Sequence, residues 1–369
     1  MKSRLFVVDS DSIVETLSTN IASIRVPDLT GKQWLKTIAD IMADMLQIEI
    51  GDYIFLWETK KGTQKNRIHG VYRVISKPYY YCNTPDDNAP FKIHIEMAYD
   101  FIQPVDEYDV LNNPYISSSL WTIIGKKVAG KARGTTPLSI DEAGYLFKLL
   151  IGKNSTYSYN NFDSSRIIPV ANPLQISYSL KGDTNRPANL ASLNPNAIEY
   201  FDDMYDVKYE KVLETIFNQE LTNRNASFFS LIGIDVNNVI WYSNYLPYSV
   251  EQSEMDYVVM ESEDGKNVTK ISLIEFIKDK IDESHIQRAC LYSKWINEKQ
   301  GIGSQISKPI IICKSSVDFI NGETLPSKIA KLNELVNIIN NAEQEYNTKP
   351  LEVYEYSISS VGVNLIRKR

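Results

Sequence analysis

Cysteine and histidine are scarce in this chain, and their scarcity removes several chemistries at once. Three cysteines (Cys82, Cys290, Cys313) and three histidines (His69, His94, His285) occur in 369 residues. No two cysteines form a CxxC pair, and no histidines stand at zinc-ligand spacing. The expectation is therefore buried free thiols in a reducing compartment, not a metal finger or a redox dithiol. GxSxG and catalytic Cys-His signatures are missing, which sets aside serine- and cysteine-type hydrolysis. Long apolar runs are missing too: the longest, as in KPIIICK, falls far short of the ~20 residues a membrane span needs. The opening MKSRLFVVDSDSIVE has no apolar core of a leader and reaches Asp9 and Asp11 quickly. A cytoplasmic protein without membrane attachment is expected. An excess of positive charge is also lacking: 39 Lys and Arg face 46 Asp and Glu, a net charge of −7. That argues against indiscriminate nucleic-acid binding, but it leaves room for local basic patches.

What is present is the composition of a soluble globular chain, 43% hydrophobic and 23% charged, long enough for two cores. The 23 tyrosines accompany many Asn, Ile and Lys residues, a bias that a low-GC coding sequence produces without any function. The fold class expected is α/β in the broad sense, α+β overall. In the first half, 4–8, 48–57 (with a turn inside it), 67–76 and 91–99 read as strands, with helices over 33–47 and 141–150. Gly51-Asp52 reads as the turn into the second strand, and Ser139 as the cap of the second helix. From 152 to 196 the chain is dense in Asn, Ser and Tyr, with Pro169, Pro173, Pro187 and Pro195 along it, and reads as a linker. Domains are thus expected at 1–151 and 197–369. The second begins with a helix whose Val212, Leu213, Ile216 and Phe217 share a face. Strands at 239–245, 254–260 and 270–277, a helix at 282–298, a strand at 309–313, a helix at 326–346 and one or two strands over 353–366 follow. Helix, three strands, helix, strand describes a mixed sheet flanked by helices.

In the strand KISLIEFI, Glu275 interrupts an apolar run that reads as covered on both sides. A carboxylate there is costly unless paired, metal-bound or at the edge of the core. Asp256 lies on the preceding strand, so a hairpin would bring the two acids together. Two carboxylates holding Mg²⁺, with a lysine against developing negative charge, are what phosphodiester cleavage requires. The bland alternative is a salt bridge from Glu275 to Lys278 or Lys280.

EMDYVV and ISLIEFIKDKIDESHIQRACLYSKWI resemble the PD-(D/E)XK nuclease superfamily, and its RecB-like branch in particular, from about Asp206 to the C-terminus. The resemblance implies a metal-dependent DNA endonuclease of restriction or defence type. Asp256 and Glu275 would be the ligands of Mg²⁺ (or Mn²⁺), and Glu210 or Glu214 the additional acid. Tyr292 and Trp295 match the aromatic end of the helix motif. Two positions depart from the pattern. Ile277 stands where the lysine belongs, with Lys278 one residue late and on the opposite strand face unless a bulge returns it. The helix glutamine position falls on Arg288, with Gln287 beside it. The catalytic set implied is Asp256, Glu275, Lys278, Glu214 and Gln287.

IGDYIFLWE, IHGVYRVISKPYY and PFKIHIE resemble the PUA-like group, the EVE domain especially, over residues 1–150. That implies a mixed β-barrel with helices that reads nucleic acid, including a modified base stacked in an aromatic pocket. Trp57, Tyr72, Trp121 and the Tyr79-Tyr80-Tyr81 run are candidates for the pocket. Lys126, Lys127, Lys131 and Arg133, in IGKKVAGKARG, are candidates for phosphate contact; the GxxxxGK[ST] order of a P-loop is absent. DNA is the expected partner. Double-strand cleavage, which often uses two sites, would call for a homodimer. Two other readings stand beside the nuclease: a catalytically inactive nuclease-fold protein that binds nucleic acid, and a PUA-like RNA-binding protein with an unrelated second domain.

Overall fold

The computed structural model describes residues 2–27, 34–59, 66–84, 87–112, 134–178, 182, 185–202, 206–244, 246–248, 253–300, 306–319 and 322–369. The chain divides into two compact units. The first comprises Met1–Ser177, Lys181–Glu199 and Thr215–Asn223, and the second Tyr178–Leu180, Tyr200–Glu214 and Arg224–Arg369. The stretch expected to link two domains is, up to Ser177 and again from Lys181, counted with the first unit.

The first unit runs β1 (Ser3–Asp9), α1 (Ile13–Thr19), β2 (Ile21–Ile24), α2 (Trp34–Met45), β3 (Tyr53–Thr59), β4 (Arg67–Val74), β5 (Tyr79–Tyr80), β6 (Phe91–Met97), β7 (Val105–Asp106), α3 (Glu107–Leu111), β8 (Thr135–Leu138) and α4 (Ile140–Lys153). Its strands are ordered β2-β6-β4-β3-β1-β8, with β5 on β6 and β7 on β4. The β1–β3 pair is parallel, and the other described pairs are antiparallel. The sheet curls until its ends meet. Val7 N–H donates to the Gly134 carbonyl just before β8, and a Cβ at Gly134 would fall 2.6 Å from Ile24 Cγ2 on β2. A side chain there would require Ile24 to shift.

The Gly51-Asp52 turn forms as its residues suggest. Gly51 takes φ +94°, and the Asp52 carboxylate accepts from the backbone N–H of Lys2 and of Glu49, each at 3.0 Å. Ser139 caps α4 in a reciprocal box: its Oγ accepts from Glu142 N–H (3.2 Å), and Glu142 Oε2 accepts from Ser139 N–H (3.0 Å). Leu146 and Leu150 of α4 then pack on Leu5, Phe55, Trp57, Ile68 and Val71. The next helix, α5 (Lys211–Thr222), supplies Asn218 and Thr222 to the carbonyls of Ala43 (2.7 Å) and Leu46 (2.8 Å), orphans at the end of α2. Its Val212, Leu213, Ile216 and Phe217 are buried, as their spacing suggests.

The second unit continues with α6 (Ala226–Ser230), β9 (Val239–Ser243), β10 (Leu246–Tyr248), β11 (Ser253–Met255), β12 (Tyr257–Glu261), β13 (Lys270–Lys280), α7 (Glu283–Gln300), β14 (Ser307–Ser315), α8 (Leu325–Tyr346), β15 (Glu352–Ser359) and β16 (Gly362–Arg367). A six-stranded mixed sheet is ordered β16-β15-β14-β13-β12-β9, so the helix–three strands–helix–strand order does make a mixed sheet. β9, β12 and β13 form an antiparallel meander, and β14 and β15 follow in parallel to β13. Parallel neighbours need crossovers, and α7 and α8 provide them. Ile286 and Ala289 of α7, and Ile339 and Ala342 of α8, pack on Ile277, Ile311 and Val353 of the sheet. Cys290 and Cys313 are buried in that layer, and burial pushes their thiols up to about 11 and about 12. They fill space; they are not reactive sulfurs.

Candidate functional site

Two polar centres stand out, one in each unit. In the first unit a groove of about 780 Å³ opens beside β2, β5 and β6. Its floor follows from strand register. Lys92 of β6 pairs with Ser23 of β2 on one side and Tyr79 of β5 on the other, and His94 pairs with Ile21. Opposed residues share a sheet face. In β6 the odd positions Phe91, Ile93 and Ile95 are buried, and Lys92, His94 and Glu96 alternate onto the other face. Ser12, Glu15, Thr16 and Thr19 form one wall with α1, and the 83–89 loop forms another.

Tyr79 and His94 stack, with centroids 5.3 Å apart and planes 16° from parallel, and Tyr79 Oη lies 3.0 Å from His94 Nε2. Burial lowers the His94 pKa below its ordinary value. Tyr81 is 52% exposed, and Lys92 Nζ lies 5.5 Å from the centre of its ring. Lys92 also pairs with Asp87 (2.9 Å), and at the rim Arg25 pairs with Asp9 (3.1 Å). The groove thus offers flat rings, neutral hydrogen-bonding groups (Ser12, Ser23, Asn83, Asn88) and a lysine.

The other aromatics suggested by the sequence are elsewhere. Trp57 is 7% exposed and belongs to the core beneath α4. Tyr72 is equally buried, and burial raises its phenol. Tyr80 turns away from the groove, its Oη donating to the Leu190 carbonyl (2.5 Å) and its ring meeting Phe91 edge-on. Trp121, Lys126, Lys127, Lys131 and Arg133 lie outside the described residues. Lys92 and His94 were not singled out from the sequence, although the alternation of FKIHIE marks them as outward-facing.

The second centre is the acid pair. Tyr257 of β12 is opposite Ile274 of β13, so the next position along places Asp256 opposite Glu275, on one face. The strand expected over 254–260 is broken at Asp256 into β11 and β12. Asp256 Oδ2 accepts from Phe276 N–H, at 2.9 Å, which ties the acid of one strand to the backbone of the other. Arg288, one turn into α7, reaches across with Nε and Nη2, both 2.9 Å from Glu275 Oε2. Glu275 is 2% exposed. Burial first, then the facing Asp256, push its carboxyl well above the ordinary range, and Arg288 pulls it back. Burial likewise raises Asp256, against the Phe276 N–H, Lys211 and Arg288. Glu210, exposed over the residue as a whole but crowded at its carboxyl, is raised to about 7 by that crowding and by Asp256.

Of the residues proposed for catalysis, Asp256 and Glu275 come together, and the others do not join them. Lys278 is half-exposed; the β13–β14 register shifts between Ile277 and Lys280, but Arg288 and Lys211 are the cations acting most strongly on the acids. Gln287 Nε2 bonds Glu283 Oε1 (3.1 Å) on its own helix. Glu214 is held by Lys211, with Nζ at 2.5 and 2.6 Å from its two oxygens. A Mg²⁺ ion prefers six oxygen ligands near octahedral geometry. Among the described residues no three His, Cys, Asp or Glu side chains converge to hold a metal. A divalent ion bound through Glu275 Oε2 would have to displace the guanidinium, so the residues do not fit one as arranged.

No family model matches the chain, and no curated protein matches it. Several solved structures are similar over part of it. A hypothetical protein from Leishmania major is 9% identical, spans 42% of this chain and 96% of its own, and has a TM-score of 0.30. Human THYN1, solved with 5-methylcytosine-containing DNA, is 10% identical over 41% of this chain and 98% of its own (TM-score 0.28). The YTH domain of Zygosaccharomyces rouxii MRB1, solved with N6-methyladenosine RNA, is 14% identical over 40% of this chain and 86% of its own (TM-score 0.27). At such scores these likenesses carry no argument about this chain. Among the described residues no helix is long and apolar enough to cross a membrane.

Proposed function

We propose that this chain is a nucleic-acid-binding protein whose first unit takes an unstacked base into the groove between α1, β5 and β6. The observation that carries this reading is the row Tyr79–Lys92–Ser23 across three strands, with His94 stacked on Tyr79 and Tyr81 exposed at the mouth. A base has two flat faces and a hydrogen-bonding edge. Rings answer the first, and neutral Asn and Ser groups answer the second. Lys92 stands where the charge of an adjoining phosphate would fall. The volume lies within the ~300–1,000 Å³ usual for ligand sites. The carboxylates of Glu15 and Asp87 in the same walls oppose indiscriminate phosphate binding and favour selection.

The metal-dependent endonuclease reading has one supporting observation, the opposition of Asp256 and Glu275. Arg288 on Glu275, Gln287 on Glu283 and Lys211 on Glu214 count against it. The non-cleaving reading therefore takes precedence. The test is an anisotropy titration with single-stranded DNA, single-stranded RNA and duplexes with and without a methylated base, over a salt series. The expected result is salt-sensitive binding that Tyr81→Ala weakens ten-fold or more. Binding that Tyr81→Ala and Lys92→Ala leave unchanged would remove the groove from the account.

A further inference from the structure

We infer that Arg288 is the resident cation of the Asp256–Glu275 pair, and that the second unit holds this pair as a metal-independent centre. Three observations converge. Arg288 Nε donates to Glu275 Oε2 at 2.9 Å, with Nη2 2.9 Å from the same oxygen, a charge-assisted contact. The backbone adds to it: Phe276 N–H donates to Asp256 Oδ2 at 2.9 Å. Of the further acids, Glu214 is held by Lys211, and Glu210, which acts on Asp256, does not make a three-carboxylate metal group with the pair among the described residues.

The topology explains why an arginine can do this. Glu275 shares its strand face with Ile277, which packs against α7, so Glu275 points towards that helix. Arg288 sits on α7 one residue before Ala289, which is in the same packed layer. The guanidinium is anchored by a helix already docked on the sheet, and its own side chain remains 40% exposed. A divalent ion would need both carboxylates to exchange these donors for the metal, and it would leave Arg288 facing a like charge. A fixed guanidinium and a divalent cation are therefore alternatives at this position.

The experiment uses the full chain. Unfolding midpoints are measured in EDTA, in millimolar Mg²⁺ and in millimolar Mn²⁺, and bound Mn²⁺ is followed by the loss of the free-ion EPR signal. The wild-type protein is expected to show equal midpoints in all three buffers and no Mn²⁺ uptake that depends on Glu275. Arg288→Gln should lower the midpoint by several degrees, Arg288→Lys by less, and Glu275→Gln added to Arg288→Gln should recover most of the loss. Stoichiometric Mn²⁺ uptake by the wild type that Glu275→Gln abolishes would overturn the inference. So would an Arg288→Gln loss that Glu275→Gln does not relieve. Neither result bears on the groove of the first unit, so the two readings fail separately.

Discussion

The groove of the first unit and the acid pair of the second use charged and polar residues in opposite ways. In the groove, Tyr81 is 52% exposed, and neutral Ser and Asn groups stand beside Lys92, Glu15 and Asp87 around a space wide enough for a guest. At the acid pair, Glu275 is 2% exposed, Arg288 is bonded to Glu275 and the Phe276 amide to Asp256. An open site keeps its hydrogen-bonding capacity for a ligand. A saturated one spends that capacity on holding strands and helix together. Residue type alone does not separate the two cases. Glu275 in an apolar strand is the more conspicuous feature in sequence, yet the less conspicuous Lys92 and His94 face a cavity.

The contrast can be broken most forcefully at Arg288. Removing one partner of a buried pair leaves an uncompensated charge, which costs about 3–5 kcal/mol. Arg288→Ala should lie near the lower end, since its side chain is 40% exposed, and urea unfolding measures the loss. A loss below about 0.5 kcal/mol would put the pair in the class of surface contacts. Next comes Tyr81→Ala. It should cost about 1–3 kcal/mol of single-strand affinity, the usual worth of one stacked base, while leaving unfolding unchanged. A mutant with lost stability and intact affinity would reverse the assignment.

A smaller effect is expected at the cap of α4. Ser139→Ala removes the acceptor for Glu142 N–H and should destabilise the first unit by about 1 kcal/mol. Nucleic-acid affinity measured at a temperature where the unit stays folded should not change. The smallest effect sharpens the electrostatics of the second unit. Glu210 has a raised pKa, about 7 against an ordinary 4.5. For a raised acid, the favourable contribution is fully present below the unfolded value and is lost as pH rises through the folded one. Glu210→Gln should therefore raise the urea midpoint at pH 8 and change nothing at pH 4. An equal gain at both pH values would mean that Glu210 acts by packing and not by charge.

Much of the fold was legible because local signals were strong. Gly51-Asp52, the Ser139 box, the apolar face of 212–217 and the βαβ order after Lys270 each have a local cause, and each forms as that cause suggests. The hairpin also brought Asp256 to Glu275, as strand order required. The partners of the acids were harder to see. Arg288 lies 13 residues from Glu275, and nothing local distinguishes it from Gln287 beside it; the helix phase set by docking on the sheet decides between them. Trp57 and Tyr72 show the same limit from the other side. A strand aromatic looks alike whether it faces a groove or a core, and here α4 and the curled sheet cover both.

The groove's role is tested most directly by photocrosslinking. A single-stranded oligonucleotide carrying a photoreactive base would be irradiated with the full chain, and the crosslinked peptides mapped. Crosslinks are expected at Tyr79, Tyr81 or His94, reduced by Tyr81→Ala. Efficient crosslinks that fall wholly outside residues 12–23 and 79–94 would contradict the groove's role.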